Sequence, residues 1–465
     1  MKRLNKIISV SWVYASSAAN IGAGFILLPF ILHYLKPEDI GIWFVFVTII
    51  AGAQLIEMGF QATLTRNIAY IYAGAKNLTS IGLPGNNIEG TVNYPLLTRT
   101  ISSVKVIYLI FAAVGAIILI SIGLYYVPTI TDEVQNKEYY HSVWLLFTIA
   151  GVLNISNGWM IGLLYGKGEY EQFSKVNLLS KSLLLVTAIV GLNLGHGLMS
   201  LGVSAIIGAS TAKLFLIRNL DGIASSAKIS FVDLSEEISI LRILSVNALK
   251  TTIVQVGGFL IQRANIIIMT IFMGAAKSAS YSLSITILLA LSGISMAICQ
   301  VQLPKITRLQ IRLHGNTLGV KYGETIVISF LMYISGSLIF LSFGNDILNM
   351  IGSSVELIGK PYFTIMIIIC FLEMNHSLAG SYLTTLNNVP FLRASLISGL
   401  FIVIGSYILV PSLGVGGILL MQGGVQLLYN NWKWPFEVSR NLKYSHLALI
   451  KMGGLSIFKK LYLIK

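Results

Sequence analysis

Twelve apolar stretches recur along the chain, at roughly 8–34, 40–60, 101–127, 142–165, 176–193, 197–217, 244–272, 280–303, 323–343, 361–386, 392–411 and 413–431. About 20 apolar residues in helical form cross the hydrocarbon core of a bilayer. The pattern therefore predicts an all-α integral membrane protein with about 12 transmembrane helices. The longest hydrophilic stretch, about residues 73–100, is too short to build a soluble core of its own. The basic start Met1-Lys2-Arg3 invites comparison with a signal peptide, but the apolar run continues unbroken from Ile21 to Leu32. That run is too long for a cleavable segment, so it reads as an uncleaved first helix.

Charge fixes the expected orientation. With both termini in the cytoplasm, the odd-numbered loops are external. Of the 32 Lys and Arg residues, only Lys36, Lys137, Lys277 and Lys360 then fall outside, and Arg263 lies inside a span. Basic residues concentrate in cytoplasmic loops because they resist translocation. Shifting the span count by one would spoil the pattern. The net charge of +14 is thus a topology signal beside anionic headgroups, and no nucleic-acid partner is expected. A chain that is 55% hydrophobic and 11% charged, with mean hydropathy +0.79, fits the same class. Lys181, Lys213 and Lys250 are expected near cytoplasmic helix ends, where long basic side chains snorkel to water; the alternative is a basic vestibule. The tail from Arg440 to Lys465 alternates basic residues with Leu, Ile, Tyr and Phe, the pattern of a helix lying on the cytoplasmic leaflet.

The spans divide into an N-terminal six-helix lobe (1–220), a cytoplasmic amphipathic linker (221–243), a C-terminal six-helix lobe (244–431) and a basic cytoplasmic tail (432–465). In the linker, Asp233 and Glu236 have the spacing of a capping box. The lobes echo each other: Leu64-Thr65-Arg66 ends span 2 and Ile306-Thr307-Arg308 ends span 8. Two bundles of even span number imply parallel repeats, an architecture common among secondary transporters.

Arg263 is the first candidate for chemistry. It lies mid-span in Gln262-Arg263-Ala264-Asn265. A guanidinium facing hydrocarbon costs at least about 2.5–3.5 kcal/mol, so it should face a hydrated cavity or a partner. Its fork suits phosphate. It is read either as an anion ligand or as half of an ion pair with Glu373 in span 10. Glu373 is in turn a proton- or Na⁺-coupling carboxylate, that counter-charge, or a polar helix contact. Glu373-x-x-His376 has the spacing of a di-iron helix motif, but further ligands are missing and no metal is expected. Glu57 and Arg66 stand nine residues apart at the end of span 2, too far to pair unless the helix breaks at Gly59. Arg66 is either a boundary charge or the first contact of an anionic headgroup. Cys299 and Cys370 sit singly inside spans and should be packed thiols. The chain has no Walker motif, and Gly414-Val415-Gly416-Gly417 falls in an outer turn without a βαβ context.

Four stretches together resemble the bacterial O-antigen and capsule polysaccharide flippases of the multidrug/oligosaccharidyl-lipid/polysaccharide exporter superfamily. They are Leu35-Lys36-Pro37-Glu38-Asp39-Ile40-Gly41-Ile42-Trp43; Glu57-Met58-Gly59-Phe60 through Leu64-Thr65-Arg66-Asn67-Ile68-Ala69 to Ala73-Gly74-Ala75-Lys76-Asn77-Leu78; Asn93-Tyr94-Pro95-Leu96-Leu97; and Arg263-Ala264-Asn265-Ile266-Ile267-Ile268 through Met273-Gly274-Ala275-Ala276 to Tyr281-Ser282. The resemblance implies two six-helix bundles in a V-shaped, MATE-like transporter. It implies translocation of an undecaprenyl-pyrophosphate-linked oligosaccharide to the periplasmic leaflet of the inner membrane, without covalent chemistry or cofactor. Arg263, Arg66, Gln262 and Asn265 would contact the pyrophosphate and glycan, and Glu373 and Glu57 would couple H⁺ or Na⁺ or act as counter-charges. Membrane lipids, a polymerase and a chain-length regulator would be partners. The alternatives are a multidrug exporter of the same superfamily, which few mid-membrane acids disfavour, and a polysaccharide polymerase or ligase, which the short acidic outer loops disfavour.

Overall fold

The computed structural model describes residues 2–78, 91–132, 136–220, 234–311, 315–386 and 389–462. Much of the linker (221–233, with Asp233) lies outside them, as does the side chain of Lys250. The described elements are helices: α1 (Lys2–Tyr34), α2 (Pro37–Tyr72), α3 (Tyr94–Tyr125), α4 (Val127–Ile130), α5 (Lys137–Lys167), α6 (Tyr170–Asn193), α7 (Leu198–Arg218), α8 (Leu234–Gln262), α9 (Ala264–Met273), α10 (Ala275–Ile311), α11 (Gly315–Met350), α12 (Lys360–Thr384), α13 (Leu392–Leu413), α14 (Val415–Leu428), α15 (Asn430–Leu442) and α16 (His446–Tyr462).

Every predicted span coincides with a helix or a pair of consecutive helices. Among the described residues, ten spans are long and apolar enough to cross a membrane, one of them running through the α8–α9 break over Thr251–Met273. α1 adds an apolar helix over Gly22–Tyr34. The twelfth predicted span is α14, only 14 residues long before the chain bends at Tyr429 into α15. Large apolar side chains stand exposed along these helices, among them Leu109, Ile117, Ile120 and Leu124 of α3 and Ile397, Phe401, Ile404 and Ile408 of α13. Continuous apolar surface on this scale belongs in lipid. The protein is a multi-pass, all-α membrane protein.

The chain forms two compact units, Met1–Val256 and Gly257–Lys465. The division falls inside α8, beyond the linker segment 221–243. Small residues explain how α8 serves both units. Its first part meets α2 at Gly59, where a Cβ would lie 2.2 Å from the Ala248 carbonyl oxygen. Its last part meets α13, where a Cβ on Gly257 would lie 2.7 Å from the Ser395 backbone. Small residues let membrane helices approach to backbone contact.

In the first unit α5 is central, packing on α2, α3 and α7. Its glycines 151, 158, 162 and 166 form a stripe against α2, meeting Ile50, Glu57, Leu64 and Ile68 in turn. Local chemistry sets the helix ends. The Asn136 side chain caps α5 by accepting from the Tyr139 N–H at 3.3 Å, and Gly168 at φ +86° ends it. One turn into α5, the Tyr140 hydroxyl donates to Asp39 Oδ1 at 2.9 Å, tying the start of α5 to the start of α2.

In the second unit the C-terminal segment is packed. Residues 432–442 belong to α15, which buries Trp434 and Val438 against α12. α16 packs along α11. A Cβ on Gly453 would sit 2.1 Å from the carbonyl carbon of Gly323. One turn on, the buried Glu324 carboxylate takes Lys321 at 2.8 Å, the Ser456 hydroxyl at 2.6 Å, and Lys460. α11, at 36 residues, is about 54 Å long, well beyond the ~30 Å hydrocarbon core, so a helix can dock on its end. A Gly453→Val variant should lose about 1–3 kcal/mol of this docking through overpacking. Trypsin should then cut at Lys459 or Lys460 faster than in wild type, and an unchanged cleavage rate would contradict the docking.

Candidate functional site

Arg263 marks a break in a membrane span. Its backbone (φ −125°, ψ −29°) leaves the helical region between α8 and α9. Its N–H still donates to the Phe259 carbonyl at 2.9 Å, and its own carbonyl accepts from the Ile266 N–H at 3.0 Å, so the chain turns without unravelling. The break lies 12 residues into the Thr251–Met273 span, close to its middle. Discontinuous helices of this kind place half-helix N-termini at transporter binding sites, and the N-terminus of α9 adds positive potential to that of the guanidinium. Gln262 is half-buried beside it. Asn265, two residues on, is fully buried, and among the described residues neither its Nδ2 nor its Oδ1 has a hydrogen-bond partner. Buried carboxamides are nearly always paired, so Asn265 is a polar group in reserve.

Arg263 and Glu373 are not joined. Among the described residues no carboxylate lies within 4 Å of the Arg263 guanidinium. Glu373, buried on α12, takes a hydrogen bond from Gln422 Nε2 of α14 at 2.9 Å on Oε1, while Oε2 has no partner. Of the two sequence readings of Arg263, the ion pair with Glu373 is therefore absent.

Gln422 opens a polar stripe that sequence reading missed. Gln426 Oε1 and Ser398 Oγ each accept from Asn430 Nδ2 at 2.9 Å, Asn430 Oδ1 accepts from Trp434 Nε1 at 2.9 Å, and Asn431 Oδ1 stands 2.8 Å from His376 Nδ1. The signal was present: Gln422, Gln426 and Asn430 recur every four residues in an apolar segment, one helical face. A Gln422→Leu variant should destabilise the second unit by about 1–3 kcal/mol, the effect of stranding a buried acceptor. Thermal unfolding in detergent measures this. Glu373→Gln, which keeps an amide partner for Gln422, should unfold near the wild-type temperature.

Glu57 sits in a separate slot, in the first unit. α2 continues unbroken through Gly59, so Glu57 and Arg66 lie about 13 Å apart along one helix and do not meet. The Glu57 carboxyl lies on the bare backbone of Gly158, where a Cβ would be 1.8 Å from Oε2, with the Tyr108 ring beside it. Glu57 Oε2 and the Tyr108 hydroxyl are both buried, side by side in the slot. Arg66 is exposed near the end of α2, and Arg308, its echo, is exposed near the end of α10. Among the described residues, no cluster of three or more His, Cys, Asp or Glu could hold a metal. Cys299 and Cys370 are buried free thiols, and Gly414 at φ +54° forms the turn between α13 and α14.

No family model and no curated protein matches the chain. Solved structures do. An inward-facing multidrug-resistance MATE transporter of the MOP superfamily aligns with a TM-score of 0.65 and 15% identity, over 94% of this chain and 98% of that one. The lipid II flippase MurJ, in an inward closed conformation, aligns with a TM-score of 0.65 and 12% identity, over 98% of this chain and 93% of that one. This is the fold of the MATE and MurJ transporters. The fold class expected from sequence is the observed one, and both neighbours move molecules across membranes instead of transforming them.

Proposed function

We propose that the protein is a flippase that carries an undecaprenyl-pyrophosphate-linked oligosaccharide, an O-antigen or capsule repeat unit, from the cytoplasmic to the periplasmic leaflet of the bacterial inner membrane by alternating access. Both termini lie in the cytoplasm in this reading. The observation that carries it is Arg263: a guanidinium at the break of a mid-membrane helix, without a carboxylate partner among the described residues. A positive charge kept at that depth suits an anionic cargo, and its fork suits a pyrophosphate. A likeness to the lipid II flippase over nearly the whole chain supports the same class of cargo. The polyprenyl tail stays in lipid while the headgroup follows a polar path. Arg66 admits the pyrophosphate, Arg263 holds it, and Gln262 and Asn265 meet the glycan. Glu373 and Glu57 are the carboxylates available to couple H⁺ or Na⁺. A polymerase and a chain-length regulator would use the product on the far side.

The test is complementation. In a flippase-deficient bacterium with the matching glycan locus, the protein should restore surface polysaccharide and clear accumulated lipid-linked repeat units. Drug resistance gained without polysaccharide would replace this reading with export of drugs, the activity named for the MATE neighbour.

A further inference from the structure

The first unit holds a cavity of about 320 Å³ among α5, α6 and α7, lined by polar and apolar side chains together. Asn154, Asn157, Phe173, Asn177, Ser180 and Lys181 are part of its lining, and among the described residues no Asp or Glu is. Lys181 was expected near a cytoplasmic helix end. It lies elsewhere because α6 starts at Tyr170, directly after the Gly168 turn, six residues before the apolar run begins. Lys181 is therefore about 16 Å along a 24-residue apolar helix, midway between its ends.

Among the described residues no carboxylate pairs with Lys181. An ammonium at that depth, like any buried charge, calls for a counter-charge or water. The neighbouring groups are partly engaged. Asn177 Nδ2 donates to Ser16 Oγ at 2.8 Å, and Asn157 Nδ2 donates to the Ala209 carbonyl at 3.2 Å. Asn157 Oδ1 is left buried without a partner, on a residue only 2% exposed.

These groups select a ligand. The ammonium disfavours a metal cation. An apolar molecule would leave both the ammonium and Asn157 Oδ1 unpaired. A bare anion would satisfy Lys181 alone, whereas the exposed Asn154 carboxamide on the cavity lining offers a donor and an acceptor to hydroxyls. A small hydroxylated acid meets both demands, and the Phe173 ring offers its apolar side a face. The volume lies at the small end of ligand pockets, which run from about 300 to 1,000 Å³, and suits one sugar ring.

We infer that this cavity binds a small acidic sugar, with its carboxylate or phosphate on the Lys181 ammonium and its hydroxyls on the asparagines. The cavity carries this inference by itself; its use as a subsite for an acidic sugar of the cargo rests on the proposed flippase function.

Isothermal titration calorimetry on the full-length protein in detergent, at constant ionic strength, tests it. The probes are glucuronate and glucose 1-phosphate, with glucose and inorganic phosphate as controls. At least one acidic sugar should bind saturably, and the one that binds tells carboxylate from phosphate. Both controls should bind at least tenfold more weakly. Lys181→Met should weaken the acidic sugar tenfold or more. Lys181→Gln, which keeps a polar side chain of similar reach without the charge, should do the same and covers the case in which Lys181→Met misfolds. Absence of saturable binding by both acidic sugars, or binding unmoved by Lys181→Met and Lys181→Gln, overturns the inference. Inorganic phosphate binding as tightly as the sugars overturns its sugar half. Complementation is read separately: binding without restored polysaccharide removes the flippase reading and leaves the site, and restored polysaccharide without binding does the reverse.

Discussion

An Arg263→Ala variant should reach the membrane at the wild-type level and lose surface polysaccharide, with lipid-linked repeat units accumulating behind it. Normal insertion follows from the geometry. Glu373 is held by Gln422, so removing the guanidinium strands no carboxylate, and a charge leaves the hydrocarbon region. Loss of transport follows from the cargo. A hydrogen bond to a charged group contributes about 1.5–3 kcal/mol, which is about 10- to 150-fold in occupancy at 1.4 kcal/mol per decade. Arg263→Lys keeps the charge but loses the planar fork, so it should fall between the two. The measurement is polysaccharide and lipid-linked intermediate per unit of membrane protein, with the protein quantified by blot. Full restoration by both variants would make Arg263 a packing charge and remove the phosphate-holding role, whatever the cargo.

The spans were legible because long apolar runs dominate the free energy of insertion, and each run became a helix or a pair of consecutive helices. The ends were less so. α2 continues to Tyr72, beyond the apolar run at 60, α10 continues to Ile311 and α11 starts at Gly315. Hydropathy registers lipid, not helix, and these extensions are polar turns. The same blindness placed Lys181 at a helix end when it lies mid-helix. The break at Tyr429 has no Pro or Gly at its own position to announce it. The site divides similarly. Single charges in apolar runs, Arg263, Glu57 and Glu373, stand out in a sequence because each is expensive in lipid. Their surroundings do not, because they come from other helices: Gln422 is 49 residues from Glu373, and the glycine under Glu57 belongs to α5. Only the four-residue spacing of Gln422, Gln426 and Asn430 offered a local clue.

The Glu57 slot yields the sharpest steric prediction. A Gly158→Ala substitution adds one methyl, which would stand 1.8 Å from Glu57 Oε2 and 2.6 Å from Tyr108 Cε1. Neither neighbour has an easy retreat. Tyr108 is 1% exposed within a core that includes Phe60 and Leu163, and Gly151, Gly162 and Gly166 hold α5 against α2 above and below. Overpacking of this kind costs typically about 1–3 kcal/mol, and the helices cannot part locally to relieve it. Gly158→Ala should therefore unfold at a clearly lower temperature than wild type in the same detergent. Pairing it with Glu57→Ala should recover part of the loss, because the carboxyl that collides with the new methyl is gone and Tyr108 gains room to move toward the vacated space, whereas pairing it with Glu57→Gln should not, because the amide fills the same space. A double-mutant cycle isolates that coupling, and additive effects in both pairs would mean the clash does not exist. Transport then separates two roles for the carboxylate. If Glu57 couples an ion, the Glu57→Ala/Gly158→Ala pair regains stability but not polysaccharide export; if Glu57 only fills the slot, stability and export return together.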